Sequence, residues 1–339
     1  MSKRKAYYVK PGSIGSLSLV TESISEPVGN EVLVNVKTIG LNFADVFCCL
    51  GLYAAAPKTS FIPGLEYSGI IEKVGPDVQK FKPGDHIMGV TRFGAYATKL
   101  TISENYLVAL PPSWNFTEGS AYLVQVLTAY YGLVELGNVK RGQNVLIHSA
   151  AGGVGIWAHR IAKAMNCFTI GVIGHEKKRS VLEKEGIDVC IIRNERSFEN
   201  DLVKALGERE LHLIMDSIGG KIMKIGYQKL APMGRLVAFG SAHYTGKKDR
   251  PNYLRLVWKY LQRPKIDVQN MIGENKSVMA FNLIYLFDHA TLMHDILQDI
   301  STMDLGSPVI GSNYDFEDLP QAIREFQDGL TIGKVVVNI

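Results

Sequence analysis

The sequence predicts an α/β protein of two domains, a doubly wound parallel sheet and a second, mainly β domain. Three observations predict it. The chain has 339 residues, and a prior of roughly 150 residues per domain makes two cores the natural division. Short β-branched runs dominate the first part and give way near Thr117 to alternating strand-like and helix-like segments. A glycine-rich turn, Ala150-Ala151-Gly152-Gly153-Val154-Gly155, separates an apolar run from a helical pattern.

Each element follows from local pattern. Runs such as Glu31–Thr38 and Ser68–Val74 are cut by Pro63-Gly64, Gly75-Pro76 and Pro83-Gly84, which reads as an antiparallel β domain. Helical spacing over Ala121–Leu136 leads into a buried strand, Asn144–Ser149, then the glycine turn and a helix over Val154–Met165. Strand-like Thr169–Ile173, Val189–Ile192, Leu213–Met215 and Leu236–Phe239 are separated by helical Lys177–Glu185 and Phe198–Leu206, the order of βαβ units. The tail predicts a helix, Leu319–Gln327, and a last strand, Val335–Ile339, too short to stand alone and so folded back onto the first domain. The expected division is 1–126 with 286–339 as one domain and 127–285 as the nucleotide-binding domain.

Composition excludes several classes. With 46% hydrophobic and 21% charged residues the chain is far from disordered. A net charge of +4 is too small to argue for nucleic acid. Cys48, Cys49, Cys167 and Cys190 have neither CxxC nor metal-finger spacing and read as reduced thiols. The basic N-terminus has no apolar signal core behind it, and no window approaches the ~20 apolar residues that span a bilayer. The expectation is a soluble cytoplasmic protein.

The glycine turn carries the first functional reading. Gly152 and Gly153 lack Cβ atoms, so backbone N–H groups can approach a pyrophosphate, while Gly155 lets the helix pack close to its strand. The helix N-terminus, with Ala151 and Val154 beside the glycines, adds partial positive charge. An NAD site places an acid at the end of the second strand, to bond the ribose hydroxyl. This chain has Gly174-His175, with Lys178 close behind and Arg193 closing the third strand. Cations there suit a 2′-phosphate, so NADP is expected over NAD.

The chain resembles the medium-chain dehydrogenase/reductases. The residues that carry the resemblance are Gly40-Leu41-Asn42-Phe43-Ala44-Asp45, Pro63-Gly64-Leu65-Glu66-Tyr67-Ser68-Gly69, Leu127-Thr128-Ala129-Tyr130, the glycine turn and Gly333-Lys334-Val335. Within that family it is most similar to the zinc-independent quinone oxidoreductases. Pro232-Met233-Gly234-Arg235 and Asn275-Lys276-Ser277 point to the vesicle amine transport protein homologue branch. The resemblance implies a Rossmann cofactor domain beside a GroES-like catalytic domain. It places a zinc-ligand set at Asn42, Leu65 and Val124, none of which can hold zinc. A metal-free hydride transfer to a quinone or an α,β-unsaturated carbonyl is therefore expected, with the enzyme supplying orientation.

The resemblance puts Asn42 and Thr128 beside the nicotinamide, although alone they read as a turn residue and a helix residue bonding its own backbone. Phe281 and Lys334 fall at positions near the same end. Tyr53, after Gly51-Leu52, can donate to the acceptor oxygen or simply pack at a domain edge. His86, His148, Asp45 and Glu66 read as structural supports. Ligands of open α/β sheets lie beyond the strands' carboxyl ends, which adds Ser217, Phe239, Gly240 and Ser241 to the cofactor set.

Two segments remain. Lys247–Lys265 carries seven cations and one acid, Asp249, with Leu254, Val257, Trp258 and Leu261 at helical spacing. Such a helix can touch an anionic membrane, but the favoured expectation is a helix laid over the cofactor domain with its cations in water. Residues 277–283 predict a strand that, by the resemblance, pairs across a two-fold axis in a homodimer. The rival to a reductase is an NADP-binding regulatory or membrane-associated protein with little catalysis.

Overall fold

The computed structural model describes residues 2–339. Two sheets organise it. The first is built around Glu31–Gly40, whose Val32, Val34 and Val36 are buried. That strand pairs antiparallel with Glu66–Val74, Lys99–Ser103 and the C-terminal Lys334–Asn338. Ile310–Asp315, which the sequence did not announce, runs parallel to Lys334–Asn338 and completes the edge. A separate hairpin joins Ser2–Tyr8 to Ser18–Ile24.

The second sheet has six parallel strands. They are β1 (Asn144–His148), β2 (Phe168–Ile173), β3 (Val189–Ile192), β4 (Leu211–Asp216), β5 (Leu230–Ala238) and β6 (Ser277–Ala280). Their spatial order is 3-2-1-4-5-6. Val145, Leu146 and Ile147 of β1 are fully buried because helices cover both faces, so the strand is apolar without alternation. Strand order reverses between β1 and β4, and that reversal opens a crevice at the carboxyl ends.

Three expectations need correction. The predicted helix over Ala121–Leu136 is an α-helix at Leu123–Tyr130 that widens to a π turn over Tyr131–Leu136, where Gly137 N–H reaches back to the Gly132 carbonyl. The predicted strand over 277–283 ends at Ala280, because Asn282 starts a turn in which Tyr285 N–H bonds its carbonyl at 3.1 Å. The basic segment forms a helix only over Tyr253–Leu261, and its apolar face is turned outward instead of onto the cofactor domain, while Arg255 is also exposed. Lys259 donates to the His243 carbonyl, while Leu254 is 86% and Trp258 61% exposed.

Candidate active site

The glycine turn is set by backbone geometry. Ser149 follows β1 with φ of 53° and turns the chain back, and its carbonyl accepts from Gly152 N–H at 2.9 Å. The helix Gly153–Ala164 starts directly, with Ile156 N–H bonding Gly152 O at 3.0 Å. A Cβ at Gly155 would run into the Ser149 carbonyl and the Ala150 backbone, so only glycine lets the helix approach β1 this closely. Gly333, at φ of 55°, bonds the Ala151 carbonyl at 2.8 Å and brings Lys334 beside the turn. The C-terminal tail is thus pinned to the cofactor loop.

Lys334 enters a buried polar network that sequence reasoning did not assemble. Its ammonium donates to Asn42 Oδ1 at 3.0 Å and to the Glu66 carboxylate. Gln125 Nε2, from the helix Leu123–Tyr130, donates to Asn42 Oδ1 at 2.5 Å and to Glu66 at 3.2 Å. Asn42 Nδ2 closes the ring by donating to Glu66 at 3.0 Å. Two donors on Asn42 Oδ1 fix which way its amide points. Burial pushes the Lys334 ammonium below the usual lysine range, and the Glu66 carboxylate opposes that push. Asn42 also starts the helix Phe43–Cys49, where the Asp45 carboxylate accepts from Asn42 N–H at 2.8 Å. Asp45 and Glu66 therefore stand as supports of Asn42.

Asn42, Gln125 and Lys334 border one cleft of about 950 Å³ at the crevice between β1 and β4. Thr128 lines it, with its hydroxyl donating to the Val124 carbonyl at 2.6 Å, so the hydroxyl proton is spent on its own helix. Tyr53 also lines it and donates to Asn282 Oδ1 at 2.7 Å, a partner that no local pattern signals. Burial pushes the Tyr53 phenol far above its ordinary range, so it stays protonated and serves as a donor. Phe281 and Phe239 line the cleft with ring centroids 6.1 Å apart.

The other end of the cleft holds Ser217, Gly240 and Ser241 after β4 and β5, with Ser217 Oγ bonding Ser149 Oγ at 2.9 Å across the strand reversal. Arg193 lines this end half-buried, and among the described residues its guanidinium makes no hydrogen bond or ion pair. Burial lowers its pKa, with Asp216 working against the shift. Lys178 Nζ donates to the Gly329 carbonyl at 2.7 Å, and burial, then Arg193, push its pKa to about 8. Glu176, the acid that follows His175, is taken by Arg179 at 2.5 Å. His175 departs from the expected set. It is exposed, outside the cleft lining, and its Nδ1 accepts from Lys177 N–H at 3.2 Å as a helix cap.

The two lone histidines have separate fates. His148, buried at the end of β1, is held neutral by burial and by Arg193, which push its pKa to about 3. His86 is exposed, with its ring centroid 4.9 Å from that of Phe116. His148 Nε2 stands 4.0 Å from Asp216 Oδ1, with both side chains fully buried.

The arrangement can seat a diphosphate on the glycine turn, a second phosphate at Arg193 and Lys178, and a flat ring between Thr128, Phe281 and Asn42. Residues 29–112 match the alcohol dehydrogenase GroES-like domain, and residues 153–284 match the zinc-binding dehydrogenase family. The synaptic vesicle membrane protein VAT-1 homolog of Rattus norvegicus is 30% identical over 315 residues, covering 92% of this chain and 77% of its own length. The Danio rerio counterpart is 31% identical over 310 residues, 91% of this chain, which spans only 64% of that relative's length. A mycobacterial protein solved in complex with NADPH shares the fold, with a TM-score of 0.84 at 24% identity over 99% of this chain and 100% of its own. The chain belongs to the medium-chain dehydrogenase/reductase superfamily of oxidoreductases, in the zinc-independent quinone oxidoreductase group near the VAT-1 homologue branch.

Proposed function

We propose that the chain is an NADPH-dependent reductase of quinones or α,β-unsaturated carbonyls that works without a metal. The observation that carries this reading is the cleft itself, which runs from an unpaired Arg193 to Tyr53 across the glycine turn. The structural likeness to an NADPH complex supports the choice of cofactor. Residues 127–285 would hold it, and 1–126 with 286–339 would frame the acceptor.

The cofactor fits the residues present. Ala151, Gly152, Gly153, Val154 and Gly155 form a cradle that side chains would fill, since a Cβ on Gly153 would stand 2.5 Å from Gln125 Oε1. Arg193 and Lys178 would take the 2′-phosphate, with Ser217, Phe239, Gly240 and Ser241 along the dinucleotide. Asn42, Thr128, Phe281 and Lys334 would frame the nicotinamide. When bound, the cofactor supplies a hydride, and one proton completes the reduction of the acceptor. Tyr53 turns from Asn282 to donate to the acceptor oxygen as negative charge develops there. The fixed Lys334–Glu66 ion pair and the Asn42 amide it orients need no rearrangement during this step. At the family's zinc-ligand positions stand Asn42, Leu65 and Val124, and among the described residues no three His, Cys, Asp or Glu side chains are grouped to hold a metal. A conjugated acceptor suits such a site, because its own oxygen absorbs the charge. NADPH oxidation screened across quinones and 2-alkenals tests the proposal; no turnover with any acceptor, despite NADPH binding, refutes it.

A second reading, membrane association, is favoured by the helix Tyr253–Leu261. Leu254, Trp258 and Leu261 face solvent, with Ile272 of the following helix also exposed. The exposed cations Lys248, Arg250, Arg263 and Lys265 surround them. An apolar face with aromatic residues and a basic border suits an anionic lipid surface. No helix among the described residues is long and apolar enough to cross a membrane. The same region precedes β6, an edge strand proposed to pair with a second copy in a homodimer. Sedimentation with phosphatidylserine vesicles and light scattering, each on Leu254→Ser/Trp258→Ser, separate the two uses. Loss of vesicle binding with dimer intact supports the membrane face, and dissociation to monomer without vesicle binding by the parent chain refutes it.

A further inference from the structure

The charges lining the cleft are segregated. Lys178, Arg193, Lys247 and Arg255 lie on the elements around the cofactor end, with Asp328 after the last helix. Lys334 is committed to Glu66 and Asn42. Past Tyr53 and Thr128 the cleft continues between the first sheet and the helix Ala290–Ser301. There it is lined by Leu65, Val90, Tyr106, Phe287, Met293 and Ile296, and none of the residues lining that side is charged.

The Thr91 hydroxyl donates to the Phe93 carbonyl at 2.6 Å. Tyr106 presents its ring, stacked on Phe287 with centroids 3.9 Å apart and planes 11° apart. Arg92 caps the far face of this pair at 5.5 Å from the Phe287 ring, but its charge is turned outward onto Asp288 at 2.7 Å. The wall is therefore apolar, and an ionised group placed there would lose its water without gaining a partner. A compact acceptor would leave much of this surface dry and uncovered.

We infer that this branch holds an extended, uncharged apolar tail, so that the preferred acceptor is a long-chain 2-alkenal or an alkyl-tailed quinone with its reacting carbonyl at Tyr53. This inference rests on the proposed reductase reading and names the substrate class within it. Transfer of each methylene from water into such a branch corresponds to about a fourfold gain in binding.

The test measures kcat/KM with NADPH for 2-alkenals of increasing length, beside same-length 2-alkenals ending in a carboxylate. The expected result is a rise of roughly two- to fourfold per methylene until the branch is filled, and a loss of tenfold or more for the carboxylate-ended compounds. Ala290→Phe and Met293→Phe, which narrow the branch, should flatten the length dependence. Calorimetric binding of unreactive alkan-2-ones to the NADP-loaded parent chain provides a readout independent of catalysis and of either variant's folding, and affinity should climb with length. Turnover of 2-butenal with a flat length series in both measurements overturns the inference and leaves the reductase reading standing. Absence of turnover with every acceptor overturns both.

Discussion

Arg193 offers the sharpest test of how the cofactor is recognised. Its guanidinium is half-buried at the end of β3 and has no protein acceptor, while its backbone N–H is tied to the Ile173 carbonyl at 2.7 Å. Burial has already lowered its pKa, so the desolvation cost is met before any ligand arrives. A 2′-phosphate would supply charge-assisted hydrogen bonds of about 1.5–3 kcal/mol to such a group. Arg193→Ala should therefore weaken NADPH binding by roughly 10- to 150-fold, at 1.4 kcal/mol per factor of ten. NADH lacks the phosphate, so its dissociation constant should move by less than about threefold. Titration calorimetry of both cofactors against both proteins gives the four constants required. An equal loss for NADH and NADPH, or no loss for either, would show that the guanidinium does not face the 2′-position. Lys178→Ala should act in the same direction but less strongly, because Lys178 Nζ already has the Gly329 carbonyl.

The remaining predictions concern the turn, the donor and the buried charges. Gly155→Ala should abolish cofactor binding and lower the melting temperature, because the added methyl meets the Ser149 carbonyl; a variant that binds NADPH normally would contradict the close packing. Tyr53→Phe should lower kcat by roughly 10²- to 10⁴-fold, the range of general acid–base catalysis, without weakening NADPH binding. Glu66→Gln leaves the Lys334 ammonium buried without its counter-charge and should cost about 3–5 kcal/mol in urea unfolding. Glu66→Gln with Lys334→Met should recover most of that loss. Asp45 carries a pH signature: burial raises its carboxyl to about 7 in the folded chain, above the ordinary value of about 3.9. The folded state thus holds this proton more tightly, so the stability it contributes is full below about pH 4 and is lost as pH rises through about 7. The urea midpoint of the parent chain relative to that of Asp45→Asn should fall as pH rises from 4 to 8.

What the sequence made legible was local. The glycine turn and the strands on either side of it are written in consecutive residues, and β1 through β4 stand close to where pattern placed them. Counting from the turn to the ends of β2 and β3 leads to Lys178 and Arg193, and both line the cleft. What stayed hidden depends on residues far apart in the chain. Tyr53 and its partner Asn282 are separated by 229 positions, and no periodicity connects them. The Asn42–Glu66–Gln125–Lys334 ring draws on two strands, a helix N-terminus and a second helix, so each member alone looks like ordinary polar punctuation. The helix Tyr253–Leu261 shows a different limit. Spacing identified which side chains share its apolar face, but not which way that face turns, and anchoring of Lys259 on the His243 carbonyl turns it outward. His175 lies at the strand end in sequence, but its ring is engaged as a cap by Lys177 N–H, which the sequence pattern does not reveal.

The claim at the centre of this account is that the cleft moves a hydride from NADPH to a conjugated acceptor without a metal. The most direct measurement is NADPH oxidation by the chelator-treated protein, followed with 9,10-phenanthrenequinone and with a 2-alkenal, with the reduced product quantified. The account predicts one NADPH consumed per acceptor reduced, at a rate unchanged by chelation. Tight NADPH binding with no oxidation by any acceptor, or oxidation that disappears with the chelator and returns with zinc, would contradict it.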